Sequence, residues 1–383
     1  MKVLVAPDSF KENLSARQVG EAIADGVRRG SAHCTCPVLP LADGGEGTVD
    51  AVVEATGGTL HHVDVTGPLG ETVQAVFGVT GDGQTAVIEM ASASGLPLVP
   101  TGKRNPLLTT TFGTGQLIRA ALDEGVSKVL VGIGGSATVD GGVGMASALG
   151  VRFGGHAGEA AFGGGQLDHI ETIDLSGRDA RLNAVTIEAA CDVDNPLVGP
   201  TGAAAVYGPQ KGATPEQVRI LETNLSHLAD VIERDLGMDV RGLPGAGAAG
   251  GLGAGLVAFL GAKLRPGVEM VLETVKLEQH LVDAALVITA EGKLDGQTAY
   301  GKTPVGVARL AKRFGVPCVA LAAVLEAGYE TVYWEGVTAC FAIADRPMSK
   351  QESMDRAGEL LTKTAENVMR LVGQGRLKVG RSS

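Results

Sequence analysis

The tripeptide Asp-Gly-Gly occurs twice, at Asp43-Gly44-Gly45 and Asp140-Gly141-Gly142, each after an apolar stretch that reads as a strand. Glycines reach φ > 0 and let a ligand approach backbone N–H groups, while the adjoining carboxylate can hold a metal or accept a proton. A third segment, Glu291-Gly292-Lys293-Leu294-Asp295-Gly296, follows the apolar run at residues 284–290 and mixes acids with a cation. Phosphoryl transfer needs that mixture: metal ligands, a carboxylate to orient a hydroxyl and a cation on the moving group. Asp8, Ser9 and Lys11 follow the first apolar run, at the kind of strand end where α/β proteins meet their substrates. Asp192, Asp194 and Asn195 offer oxygens suited to Mg2+, or a base. The competing reading of each is a tight turn with solvated acids, but their recurrence at strand ends favours a site.

Two nucleotide signatures are present in weaker form. Gly296-Gln-Thr-Ala-Tyr-Gly301-Lys302-Thr303 satisfies GxxxxGK[ST], but the strand is expected to end near residue 290, and Pro304 removes an N–H where a P-loop would use one. Lys302 and Thr303 read more simply as the first turn of a helix. Gly132-Ile-Gly134-Gly135-Ser136-Ala137 satisfies GxGxxA after a strand and makes a nicotinamide-dependent oxidoreductase the alternative reading. The confirming acid about 20 residues further on is not evident. Backbone N–H groups of Gly134, Gly135 and Ser136 at a helix start would still suit a phosphate. No GxSxG element points to a serine hydrolase, and the adjacent His61 and His62 point to opposite faces of a strand.

The 383 residues are enough for two ordinary domains, and 44% apolar with 20% charged residues marks a folded globular chain. Aromatics are only 3%, too few for base-stacking platforms, and the net charge of −11 opposes nucleic acid and anionic membranes. An anionic substrate therefore needs a local cluster of Lys and Arg. Five cysteines without a CxxC pair argue for a reducing compartment and against a zinc site. The N-terminal apolar run meets Pro7 and Asp8 early, so it reads as a buried strand, not a signal peptide; a cytoplasmic location is expected. Residues 242–262 carry no charge and match GxxxG, but glycine and alanine dominate them, so a packed helix near 256–264 is expected rather than a membrane span.

The elements that must position these residues follow from pattern. Parallel-type strands are expected at residues 2–6 and 38–42, with a helix from Ser15 to about Arg29 between them, opened by a Ser15/Gln18 capping box. A helix follows at 48–55. Residues 60–90 alternate like antiparallel strands. A helix at 109–124, a strand at 127–133, a short helix at 141–149 and a strand at 186–190 come next, then a long helix opened by Thr214 and Pro215. The βαβ rhythm returns with strands at 284–290, 317–323 and 338–344 and helices at 304–314 and 350–371; the tail from Gly373 is expected to fray. The predicted fold is α/β: a doubly wound domain from residues 1–62 plus 283–383, with a mixed domain at 63–282 inserted in it.

Seven segments, in order along nearly the whole chain, resemble the bacterial glycerate kinase family. They are Val-Leu-Val-Ala-Pro-Asp8-Ser-Phe-Lys11, Leu-Ala-Asp43-Gly-Gly-Glu46-Gly-Thr48, Gly132-Ile-Gly-Gly-Ser-Ala-Thr-Val-Asp140-Gly-Gly, Ala-Cys-Asp192-Val-Asp-Asn195-Pro-Leu197, Tyr-Gly-Pro-Gln-Lys-Gly212, Pro244-Gly-Ala-Gly-Ala-Ala-Gly-Gly-Leu252 and Ile-Thr-Ala-Glu291-Gly-Lys-Leu-Asp295. The segment at 319–328 and the loop after Ala344 depart from the family pattern. The resemblance implies ATP-dependent phosphorylation of D-glycerate to 2- or 3-phosphoglycerate with Mg2+. It also implies no P-loop, one flavodoxin-like and one restriction-enzyme-like domain, and a cleft between them. On that footing Lys11, Lys293 and Arg104 are expected to supply positive charge. Asp43 and Asp295 are expected to bind Mg2+, and Asp192, with Asp8 nearby in role, to handle the substrate hydroxyl. Ser9, Gly44, Gly45, Glu46, Gly134, Gly135, Ser136, Asp140, Asn195 and Glu291 are expected to contact substrate or nucleotide. The partners are small molecules, D-glycerate and ATP, and the oligomeric state is left open, a homodimer included. A non-catalytic ligand-binding regulator is a third reading, opposed by the acids in several separate loops.

Overall fold

The computed structural model describes residues 1–155 and 163–373; the expected tail beyond Gly373 lies outside them. The chain divides into two compact units. The first is Met1–Asp43 with the chain from Val271 onward, and the second is Gly44–Met270. The divisions fall at 43/44 and 270/271, not at the expected 62/63 and 282/283. The earlier division is set by the helix Thr48–Thr56, which packs on the strands Thr72–Val79 and Thr85–Glu89 of the second unit.

In the first unit Val3–Val5 pairs in parallel with Leu286–Leu294, which pairs with Cys318–Leu325, which pairs with Ala339–Ala342. On the other side of Val3–Val5 lies an extended segment at residues 35–41. Val3 and Val5 donate to Thr35 and Pro37 carbonyls, and Leu39 and Leu41 donate to Val5 and Pro7. Pro37 has no N–H to give the ladder, so the expected strand at 38–42 is a broken one. In chain order the sheet runs 2-1-3-4-5, the doubly wound order whose ligands lie at the carboxyl ends of strands 1 and 3. Asp8 and Glu291 stand there.

One face of this sheet, with Val3, Val5, Ile288, Ala290 and Leu321, packs on the helices Ala16–Gly30 and Ala357–Gly373. The alternate residues, Leu4, Val287, Thr289 and Glu291, point to the opposite face. The helix Thr303–Arg313 packs on the two central strands. Leu286–Leu294 is longer than expected because Glu291, Lys293 and Leu294 stay in register with Ala322, Val324 and Leu325. The expected helix at 350–371 is interrupted at Arg356, whose guanidinium bridges Asp345 and Glu359.

The second unit is built on a six-stranded mixed sheet in the order Thr59–Thr66, Thr72–Val79, Thr85–Glu89, Lys128–Gly132, Thr186–Ala190, Lys263–Arg265. The first three are antiparallel and the last four parallel. The long helix Pro215–Leu236 carries both halves of the Thr214/Gln217 capping box and buries Leu221, Leu225, Leu228 and Ile232. The glycine-rich helix starts earlier than expected, as Ala248–Leu260, with Ala249, Gly250 and Gly251 left-handed inside it. Gly250 has φ +75, and a Cβ there would lie 1.9 Å from the Thr138 carbonyl oxygen, so only glycine fits. Among the described residues no helix is long and apolar enough to cross a membrane.

The contact of Ala16–Gly30 with Ala357–Gly373 is close because Gly26 has no side chain. A Cβ there would lie 2.2 Å from the Thr362 carbonyl oxygen and 2.7 Å from Ala365 Cβ. Gly26→Ala should lower the urea midpoint, corresponding to a loss of about 1–3 kcal/mol. Gly358→Ala, where a Cβ meets nothing within 4 Å, should be neutral or stabilising.

Candidate active site

In the first unit the carboxyl end of the sheet gathers acids and lysines from distant parts of the chain. The Val3–Val5 strand is prolonged by the Asp8 N–H, which donates to the Ala290 carbonyl, 2.8 Å. This places Asp8 at the strand end, buried. Its Oδ1 accepts from the Ser9 N–H at 2.6 Å, and its Oδ2 accepts from the Thr303 hydroxyl at the start of the helix Thr303–Arg313. Lys302 Nζ donates to Glu291 Oε1 at 2.9 Å, and Lys11 Nζ lies 3.6 Å from Asp43 Oδ2. Glu291 Oε2 and Thr289 Oγ1, on the same face of one strand, are buried without a protein hydrogen-bond partner.

Burial pushes the Asp8 carboxyl up to about 6, with Asp43 adding to the rise and the Thr303 and Ser9 hydrogen bonds opposing it. Burial likewise pushes Glu291 up to about 7 against the pull of Lys302. For Lys11, burial opposes the charge, but Asp43, Asp8 and Glu291 outweigh it and raise its pKa. Two carboxyls near neutrality beside held ammonium groups can take up or release a proton at working pH.

Lys293 and Asp295 form a separate pair at 2.8 Å, and Lys293 also reaches Glu326 at 3.3 Å. The ion pair holds Asp295 below its usual range and Lys293 above its own. Asp295 Oδ1 further accepts from the Gln297 and Thr298 N–H groups and the Thr298 hydroxyl. These bonds order the loop before Thr303–Arg313, and Oδ2 faces Lys293. The same bonds turn the Gln297 and Thr298 N–H groups onto Asp295, so the GxxxxGK[ST] segment does not form a phosphate cradle although it joins a strand to a helix. Glu291 and Lys293, expected in a loop, lie in the strand itself.

In the second unit the loops after the parallel strands converge on the glycines of the first Asp-Gly-Gly. A Cβ on Gly44, at φ +92, would lie 2.7 Å from Ala190 Cβ and 2.9 Å from Gly267 Cα. One on Gly132 would lie 2.5 Å from the Gly44 carbonyl oxygen, and one on Gly134 would lie 3.9 Å from Gly45 Cα. The packing at Gly44 and Gly132 is open only to glycine, whereas a Cβ on Gly134 would make an ordinary contact. Glu89, at the end of its strand, accepts from the Val49 N–H and so caps the helix Thr48–Thr56, while Glu46 is exposed. Asp192 is exposed, and its Oδ1 accepts from the Gly267 N–H at 3.0 Å.

Three expectations change here. The Gly134–Ser136 turn does not open a helix; the next one, Val143–Ala148, starts seven residues on, so the dinucleotide fingerprint lacks its context. Asp140 is fully buried, and its carboxylate accepts from the Thr111 N–H and hydroxyl and from the Gly142 and Gly144 N–H groups. It ties two loops together and has no surface to offer a ligand. Asn195 donates to the Thr201 carbonyl and accepts from the Tyr207 hydroxyl, so its amide is spent within its loop. Arg104 is half-buried, its Nε 3.5 Å from the Val99 carbonyl oxygen, and its own carbonyl packs against Gly212.

Lys302, Thr303 and Thr289 join the expected residues at this sheet end. The first two carried a signal in GK[ST], and Thr289 carried none. Lys211, buried beneath the Gly134–Ser136 turn, was hidden for the same reason: burial of a lysine leaves no mark on the sequence.

The profile of the Glycerate kinase family matches residues 3–373. The chain belongs to the glycerate kinase family. It is 54% identical to the glycerate kinase of Halalkalibacterium halodurans over 96% of this chain and 97% of that one. It is 47% identical to the glycerate 2-kinase of Escherichia coli over 99% and 100%. A solved structure assigned as a glycerate kinase 2 from Salmonella typhimurium LT2 superposes with a TM-score of 0.91 at 51% identity, covering 98% of this chain and 99% of that one. As a member of this family the chain is a kinase, and the oxidoreductase alternative is not favoured.

The burial of Asp8 has a measurable consequence. Its folded pKa of about 6 lies above the ordinary aspartate value of about 4, so the stability it contributes is present below about pH 4 and is lost as pH rises through about 6. Asp8→Asn removes this loss. The thermal midpoint of the variant relative to wild type should rise between pH 4 and pH 8, by an amount bounded by roughly 3 kcal/mol. An unchanged difference across that range would show that Asp8 is charged throughout.

Proposed function

We propose that the chain transfers the γ-phosphoryl group of ATP to D-glycerate, giving 2-phosphoglycerate. The buried carboxyls of Asp8 and Glu291, with Lys302 on Glu291 and the exposed Lys11 near Asp43, carry this reading, because they supply acids, cations and a carboxyl poised near neutrality at the switch point of a doubly wound sheet. The 2-position follows the name of the Escherichia coli relative.

In this reading Asp8 accepts the proton of the attacking hydroxyl, a role in which a tuned base contributes about 10²–10⁴-fold. Its pKa of about 6 suits that role better than the exposure of Asp192, which is proposed to hold substrate in place. Lys11 and Lys293, with Ser9, draw in the carboxylate and phosphates, and Arg104 is proposed to add positive charge for the same anions. Gly44, Gly45, Gly134, Gly135 and Ser136 supply backbone close enough for N–H contact with a phosphate.

Mg2+ fits the residues present. Asp43 and Glu291 offer hard carboxylate oxygens, and Glu291 Oε2 is buried without a partner. Among the described residues no three His, Cys, Asp or Glu side chains could hold a metal alone. Mg2+ is normally bound by one or two carboxylates plus substrate phosphates. Bound there, it would neutralise charge developing on the transferred group.

ADP release on adding D-glycerate to enzyme, ATP and Mg2+ tests the reaction, and the absence of release would end the proposal. Phosphorus NMR reads the product: coupling to one proton marks 2-phosphoglycerate, and coupling to two marks the 3-isomer. Asp192→Asn should raise the KM for D-glycerate with the fold intact by circular dichroism; near-wild-type kinetics would remove Asp192 from the site.

A further inference from the structure

Lys211 is only 2% exposed. Lysines are almost never buried this fully without a charged partner. Here the direct partners are neutral: Nζ donates to Ser136 Oγ at 2.5 Å and to the Thr138 carbonyl oxygen at 2.7 Å. Asp140 is a carboxylate acting on it electrostatically, and Asp140 already accepts four hydrogen bonds. The Tyr207 ring lies beside it, with its centroid 6.0 Å from Nζ. An ammonium has three N–H donors, and two are used.

The groups above Lys211 are unspent as well. Ser136 accepts from Lys211 with its lone pair, so its own hydroxyl proton is free for another acceptor; among the described residues it donates to none. The N–H groups of Gly134, Gly135 and Ser136 likewise meet no protein acceptor among the described residues, and Gly134 and Gly135 are exposed. A run of unspent donors backed by a buried ammonium is complementary to an oxyanion.

We infer that Lys211 is the buried cation of an oxyanion site formed by the Gly134–Ser136 turn, acting as a positioning residue through the Ser136 hydroxyl. The oxyanion is a phosphate or a carboxylate, and the inference rests on the kinase reading that this turn contacts substrate or nucleotide. Lys211 fixes the Ser136 oxygen and polarises its O–H toward the bound anion. Burial pulls the Lys211 ammonium down to about 7, with Asp140 opposing the fall. The anion prefers the charged form, so binding takes up a proton and affinity declines as pH rises past about 7.

Calorimetric titrations of ATP and of D-glycerate, each alone, into wild type, K211M, K211R and S136A between about pH 6 and about pH 9 test this. At the low end K211M should lose about 10- to 100-fold in affinity for one ligand, and S136A a smaller part of that. Loss for ATP identifies the anion as phosphate, and loss for D-glycerate as carboxylate. For that ligand, wild-type affinity should fall with rising pH more steeply than that of K211M, and K211R should stay charged and flat. A lysine that merely braced the turn would leave the pH profile unmoved. If K211M does not fold, K211R and S136A carry the same comparison. Wild-type affinities and pH profiles in all variants would overturn the inference alone. Failure of the wild type to bind either ligand would overturn the kinase reading, and this inference with it.

Discussion

The first unit depends on one short strand being paired on both edges. Val3–Val5 donates to residues 35–41 on one side and pairs with Leu286–Leu294 on the other. The neighbours thus come from chain segments separated by the whole of the second unit. Parallel strands cannot be joined by a hairpin, so the second partner has to return from a distance. The return is what sets Asp8 beside Ala290, and hence Asp8, Asp43 and Glu291 around one sheet end. A break in either ladder would disperse the acids before it exposed much of the core.

Concentrating those acids is costly, and the structure shows how the cost is met. Thr303 and Ser9 donate to Asp8, Lys302 to Glu291, and Lys11 stands near Asp43. Compensation is incomplete: Asp8 and Glu291 are pushed toward neutrality, and Glu291 Oε2 has no protein partner. Residual strain of this kind is expected where a ligand or metal completes the hydrogen bonding. Asp295 and Asp140 are the contrast. Asp140 accepts four hydrogen bonds and Asp295 Oδ1 three, so both order the loops around them.

The second unit relies on the absence of side chains. Gly44, Gly132 and Gly134 bring three loop backbones within contact, and Gly250 admits the Thr138 carbonyl. This explains the abundance of glycine without invoking flexibility. The tripeptide Asp-Gly-Gly serves two different ends: Gly44 is a packing contact between loops, whereas Gly141 and Gly142 lead into a short helix below a buried aspartate.

Much was legible from local pattern. Capping boxes at Ser15 and Thr214, apolar runs at residues 3–5 and 286–290, and the alternation of residues 60–90 report interactions within a few residues, so the α/β class and most elements could be read directly. The motif order along the chain carried the family. Tertiary structure decided which acids are spent and which remain available. Asp8, Asp140, Asp192 and Asp295 look alike as strand-end aspartates, but their burial and donors come from residues up to 295 positions away. The same holds for Lys211, whose role depends on a serine 75 residues earlier. A carboxylate's or an ammonium's chemistry is set by its dielectric surroundings and hydrogen-bond partners, and those exist only once distant segments have met.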